Sequence, residues 1–175
     1  MSLLKITPDY LERILFPYLG NPLILDTGPL TLFLIGLCDP SKQSSNDIWQ
    51  GHTREELNLL LSIIKRFKIL IITPQILAEC TNLLNRFPPG KYQFLLNRII
   101  KPLKEFGEVY IEKDIILNCP SFSIIGSTDT GIIECSKKEN SLIITQDSGF
   151  KEYCDYNRVP CLNFNALRPS VWDKD

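Results

Sequence analysis

The sequence predicts an α/β fold with a mostly parallel central sheet and one extra helix at the N-terminus. Three observations carry this expectation. Short apolar runs recur at residues 23–26, 69–73, 142–145 and 159–163, with the length and continuous apolarity of strands buried on both faces. Between them lie longer stretches in which apolar side chains recur at helical spacing. Strands that alternate with helices in this way pair in parallel through crossover connections.

The elements follow in order. Residues 1–22 read as a leader helix: Thr7-Pro8 supplies a cap and a first-turn residue, and Leu11, Ile14, Leu15 and Tyr18 share one face before Gly20-Asn21-Pro22 breaks the run. That face is expected to pack against the body of the domain, a partner or dimer contact being the other use for it. After the first strand, Thr27-Gly28-Pro29 turns the chain into an apolar helix over 30–37, and residues 38–51 are polar and read as a loop. Thr53 caps the next helix, with Glu55 and Glu56 in its first turn, Leu57, Leu60, Leu61 and Ile64 on its apolar face, and Lys65, Arg66 and Lys68 closing it. The strand at 69–73 leads through Thr73-Pro74 into a helix carrying Ile76, Leu77, Cys80 and Leu84, which ends at Phe87-Pro88-Pro89-Gly90. A helix over 91–106 presents Leu95, Ile99 and Leu103, with Pro102 expected to kink or end it. A third strand is expected near 108–111. Residues 113–126, interrupted by Pro120, favour no element, and 129–138 read as a short helix containing Gly131. A strand at 142–145, a helix over 148–157 and a strand at 159–163 complete the pattern.

A chain of 175 residues with 44% hydrophobic and 22% charged residues is most simply one domain with a real core. The reading divides it into a helical extension (1–22), the α/β body (23–168) and a short tail (169–175). The net charge of -1 argues against a strongly basic surface, but an acidic metal site cancels basic residues in that sum, so a nucleic-acid substrate stays open. The longest apolar stretch, 29–38, is about ten residues and too short for a membrane span. The N-terminus carries no secretion pattern, so the expectation is a cytoplasmic protein whose six cysteines are reduced and mostly buried. No C-x-x-C pair occurs and His52 is the only histidine, which disfavours zinc. His52 is read as structural or surface-lying. Neither G-x-G-x-x-G nor a Walker pattern is present.

Four acids stand at the punctuation points of this pattern. Asp26 ends the first apolar run, Asp147 follows Leu142–Thr145, Glu79 lies one turn inside the helix opened by Thr73-Pro74, and Asp129 stands at the mouth of another helix. In open α/β sheets, ligands gather beyond the carboxyl ends of the strands. Carboxylates converging there suit a hard divalent cation such as Mg2+ or Mn2+, which lowers the pKa of a bound water and offsets charge on a phosphodiester. Each acid also has a plain structural use: Asp26 and Asp129 as helix caps, Asp147 as a turn residue, Glu79 as an exposed helical glutamate.

The four segments together resemble the motifs of the PIN domain family. Leu23-Ile24-Leu25-Asp26-Thr27-Gly28-Pro29-Leu30 resembles its opening strand, and Ile72-Thr73-Pro74-Gln75-Ile76-Leu77-Ala78-Glu79 its second motif. Ser127-Thr128-Asp129 with Ile132-Ile133 resembles the third, and Leu142-Ile143-Ile144-Thr145-Gln146-Asp147-Ser148-Gly149-Phe150 the fourth. The resemblance spans residues 23–165. It implies a three-layer, Rossmann-like α/β/α fold and a Mg2+- or Mn2+-dependent endoribonuclease. Carried over, Asp26, Glu79, Asp129 and Asp147 would bind the metal, and the Thr145 hydroxyl would support the site. The products would be a 5′-phosphate and a 3′-hydroxyl. The family also includes toxins of toxin–antitoxin pairs and dimers, which brings in an antitoxin, another protein partner or a second copy of the chain as partners beside RNA. Many members carry a further acid two residues after the fourth one, where this chain has Gly149. A non-catalytic PIN-fold protein that binds RNA or a partner is the alternative this departure raises.

The basic clusters Lys65-Arg66-Phe67-Lys68, Arg98 with Lys101 and Lys104, and Lys137-Lys138 read as solvated helix faces, or alternatively as a phosphate-contacting rim. Among Phe16, Tyr18, Trp49 and Trp172, Trp49 in the polar loop is the candidate for stacking on a base.

Overall fold

A computed structural model describes residues 8–39, 49 and 51–167. Its centre is a five-stranded sheet in the order β3-β2-β1-β4-β5, with every neighbouring pair parallel. β1 (Leu23–Leu25), β2 (Leu70–Ile72) and β4 (Leu142–Thr145) are buried at every position, as strands covered on both faces must be. β3 (Gly107–Glu108) and β5 (Cys161–Asn163) form the edges. The sheet is thus wholly parallel, a stricter version of the mostly parallel sheet expected.

Right-handed crossovers assign the helices to two outer layers. The chain steps from β1 to β2 to β3 in one direction, so α2 (Thr27–Cys38), α3 (Arg54–Ile64), α4 (Pro74–Leu84) and α5 (Pro89–Leu103) cover one face. It then crosses to β4 and on to β5, which sends α6 (Lys113–Asn118), α7 (Phe122–Glu139) and α8 (Ser148–Tyr156) to the other. The packing agrees: α2 touches α3, α4 and α5, while α7 touches α6 and α8.

α2 is apolar all round and buried nearly throughout, because it is enclosed between the sheet and its neighbouring helices. Leu30, Leu32, Leu34 and Ile35 have no solvent exposure, and each such side chain contributes roughly 1.5–3 kcal/mol. Gly36 sets how closely α3 can approach: a Cβ there would stand 2.3 Å from Leu57 Cδ2. Thr53 and Glu56 close a capping box on α3, and the Thr73 hydroxyl caps α4 by accepting from Ile76 N–H. α7 ends on Asn140, which takes the left-handed conformation that stops a helix.

The leader helix α1 (Pro8–Leu15) and a 3₁₀ turn over Phe16–Tyr18 lie on the body. Leu15 is fully buried in the same core, Leu11, Ile14 and Tyr18 pack against it, and Arg66 donates to both carboxylate oxygens of Glu12 at 2.8 and 2.6 Å. Its face therefore packs within the domain. The expected Thr7 cap, most of the expected polar loop (residues 40–48 and 50) and the 169–175 tail lie outside the described residues.

Pro102 ends α5, one of the two effects expected of it: the helix stops at Leu103, the next residue. Two expectations change in detail. The third strand is only two residues long, although Val109 N–H still reaches Ile72 O at 2.9 Å. Residues 113–126 are largely helical, and α7 starts well before residue 129. Gly126, at φ 81° and ψ −175°, divides α7 into two helical pieces. That conformation is essentially restricted to glycine. The helix mouth expected at Asp129 is this internal break, three residues upstream of it.

Candidate functional site

The sheet order puts its topological switch point between β1 and β4, whose crossovers leave in opposite directions. Leu25 pairs with Ile144 in register, so the residues that follow each strand emerge side by side. Those residues are Asp26 and the Gln146-Asp147 pair. A cavity of about 630 Å³ opens there, walled by Asp26, Thr27, Gly28, Glu79, Asp129, Gln146 and Asp147 together with residues 82–83 and 125–128. All four acids singled out from the sequence thus share one cavity. No lysine or arginine is among the described residues that wall it.

Each carboxylate is held in its own way. Asp26 is buried; its Oδ1 accepts from Thr27 N–H at 2.6 Å and its Oδ2 from the Thr145 hydroxyl at 2.6 Å. Thr145 Oγ1 in turn accepts the Asp147 N–H at 2.9 Å, so one hydroxyl links the ends of β1 and β4. Asp147 caps α8 by accepting from Phe150 N–H at 2.9 Å. Glu79 is exposed on α4, yet Thr27 and Thr128 hydroxyls donate to its two oxygens at 3.0 and 2.6 Å. Asp129 sits in the first turn after the Gly126 break. Asp26 is therefore the cap foreseen, Asp147, foreseen as a turn residue, caps α8, and both face the cavity.

The electrostatics tie the four together. Burial, and then the charges of Asp26, Asp147 and Glu79, push the Asp129 carboxyl up to about 7. Burial also raises Asp26, against the hydrogen bonds from Thr145 and Thr27, with Glu79 and Asp147 adding to the rise. Such mutual repulsion in a wall without basic side chains is a demand for positive charge. The donors are all oxygen, which fits a hard divalent cation. Among the described residues, no three acidic, thiol or imidazole groups stand together as a ready coordination shell. Asp26 and Glu79 each accept a hydrogen bond at both oxygens, which holds the carboxylates in place and leaves further lone pairs for an ion.

Several site residues were not singled out from the sequence. Thr27 and Thr128 directly adjoin Asp26 and Asp129, and a hydroxyl next to a candidate acid is the signal that could have found them. Gln146 and His52 gave no such signal. His52 was expected to be structural or surface-lying, and it is buried, with Nδ1 2.9 Å from Glu56 Oε2 and Nε2 3.0 Å from Gln146 Nε2. Trp49 is also buried, bridged to His52 through the backbone, so it offers no free stacking face. Phe16 is well exposed, and Trp172 lies outside the described residues. All six cysteines are free thiols and five are buried. No helix among the described residues is long and apolar enough to cross a membrane.

No protein-family model matches this chain, and no curated protein matches it either.

Proposed function

We propose that the chain is a divalent-metal-dependent endoribonuclease of the PIN type. The observation that carries this reading is the meeting of Asp26, Glu79, Asp129 and Asp147 on one open cavity at the switch point of a parallel sheet. These four residues would hold Mg2+ or Mn2+. When bound, such an ion supplies water activation near neutral pH and offsets negative charge on the phosphodiester. Thr145 fixes the rotamer of Asp26, and Thr27 and Thr128 fix that of Glu79, so the chain orients its donors before substrate arrives. Asp129, whose carboxyl is raised to about 7 in the metal-free protein by burial and the neighbouring acids, would give up its proton on taking part in holding the ion. In-line attack would leave a 5′-phosphate and a 3′-hydroxyl.

A second reading, a non-catalytic PIN-fold protein that binds RNA or a protein partner such as an antitoxin, draws on Gly149. That residue takes the place of the family's further acid, beside Asp147.

RNA cleavage by the native chain and by Asp26→Asn, each with and without Mn2+, separates the two. The enzyme reading expects cutting that needs Mn2+ and falls roughly 100-fold or more in the variant. Absence of cutting on single-stranded and structured RNAs alike, with no Mn2+ heat in calorimetry, would leave the second reading in place.

A further inference from the structure

The cavity has one wall whose polarity is set from outside it. Gln146, between Thr145 and Asp147, is anchored at its backbone by Asn165, whose Nδ2 donates to Gln146 O at 2.9 Å. Its side chain ends a buried chain that starts on α3. Glu56, almost fully buried, accepts Thr53 N–H at 3.0 Å and lies 2.9 Å from His52 Nδ1. A carboxylate there can only accept, so His52 carries its proton on Nδ1. In the neutral ring Nε2 is then an acceptor, and the Gln146 group 3.0 Å away must be its NH2. With the ring neutral, the orientation seen in the structure, NH2 towards His52, satisfies every member of this chain. Oε1 is consequently turned away from His52, over Gly28, where a Cβ would stand only 2.6 Å from it. Gly28 and Gln146 both line the cavity.

We propose that Gln146 is a specificity-determining residue: its Oε1, aimed by the Glu56–His52 pair, accepts a hydrogen bond from an N–H or O–H donor of the nucleotide held beside the acids. The proposal rests on the reading of the cavity as an RNA site. The donor is either a base-edge N–H or the ribose 2′-hydroxyl, since both offer a hydrogen to a neutral carbonyl. Gln146 reads this donor, while His52 and Glu56 act through Gln146 as positioning residues.

Binding tests this separately from cleavage. Fluorescein-labelled RNA octamers of A, C, G and U, and their 2′-deoxy counterparts, are titrated with the full chain in Ca2+ by anisotropy, and the same RNAs are assayed for cutting in Mn2+. The native chain is expected to prefer one base, or ribose over deoxyribose, by roughly fivefold to tenfold, the size of one hydrogen bond. A base preference names the base edge and a sugar preference names the hydroxyl. Gln146→Met, which keeps length without the acceptor, is expected to erase that preference. His52→Phe, which leaves Gln146 in place but unaimed, is expected to reduce it. Melting temperatures of both variants are read alongside. Preference unchanged in Gln146→Met, whatever its melting temperature, overturns the proposal and leaves the nuclease reading untouched. Preference in binding that Gln146→Met removes, without any cutting by the native chain, supports Gln146 and sinks the nuclease reading. No discrimination by the native chain, or no binding, overturns the proposal.

Discussion

The cavity is built from two halves that are held by different physics. Asp26, Thr145 and Asp147 sit on the ends of two paired parallel strands, and the register Leu25 to Ile144 fixes their spacing. Glu79 and Asp129 arrive on helices α4 and α7, which reach the cavity only through tertiary packing and a break at Gly126. The strand-borne half is buried at Asp26 and Thr145, with one hydroxyl bonded to both acids' segments. The helix-borne half is more open, and Glu79 is steadied by threonines rather than by the sheet. A preorganised half beside an adjustable half suits a site whose side chains must close on an ion. The strand half supplies a fixed reference, and on the helix half the exposed Glu79 side chain can adjust while Ile76, Cys80, Ile132 and Ile133 keep α4 and α7 in the core.

Removing the supporting hydroxyl from each half in turn tests this contrast most strongly. Thr145→Val leaves Asp26 Oδ2 and the Asp147 N–H without their partner in a buried place. Mn2+-dependent RNA cleavage should fall roughly 10–100-fold, and stability should drop by about 1–3 kcal/mol in denaturant titration. Thr128→Val removes the equivalent bond to Glu79 where water can replace it, and cleavage should fall less than about fivefold. Equal losses from the two variants would mean that the halves are not distinct. A comparable loss of stability, with a lesser loss of cleavage, is expected from Gly126→Ala, which forces a side chain into a conformation only glycine takes freely. It should cost about 1–3 kcal/mol in thermal or chemical unfolding, and slow cleavage through Asp129 while Asp26 stays in place. Unchanged stability would mean that the break is not needed to present Asp129.

The same division explains what could be read from the sequence. Asp26 and Asp147 were legible because an apolar run followed by an acid puts that acid at a strand end, and parallel strands bring their ends together. The α/β class was legible for the same reason, from period and punctuation. Glu79 needed only its place one turn into a capped helix. Asp129 was found, but as a helix start, because the break upstream is a single glycine inside an otherwise helical stretch. Gln146 and His52 were not legible, since 94 residues separate them and only tertiary packing, with α3 against α2, brings them into contact. His52 alone gave no hint that it orients a residue of the cavity wall.

The last expected effect is a change in proton binding. The Asp129 carboxyl is raised from an ordinary 3.8 to about 7 by burial and by Asp26, Asp147 and Glu79. Between those two pH values the folded chain holds a proton there that the unfolded chain releases. In the metal-free protein this group's contribution to stability is therefore fully present below about pH 4 and is lost as pH rises towards 7. Asp26, raised in the same direction, adds to the slope. Subtracting Asp129→Asn from the native chain cancels the titrating groups outside the acidic cluster and leaves Asp129 with its coupling to Asp26, Asp147 and Glu79. The variant should be as stable as the native chain near pH 4 and more stable near pH 8, with the gap opening between them. Saturating Mn2+ should then stabilise the native chain more than Asp129→Asn. At pH 6.5 its binding should release up to about one proton, read from calorimetry in buffers of different ionisation heat. A pH-independent gap, or Mn2+ binding with no proton release, would mean that Asp129 is not charged against its three neighbours, and the helix-borne half would lose its place in the site.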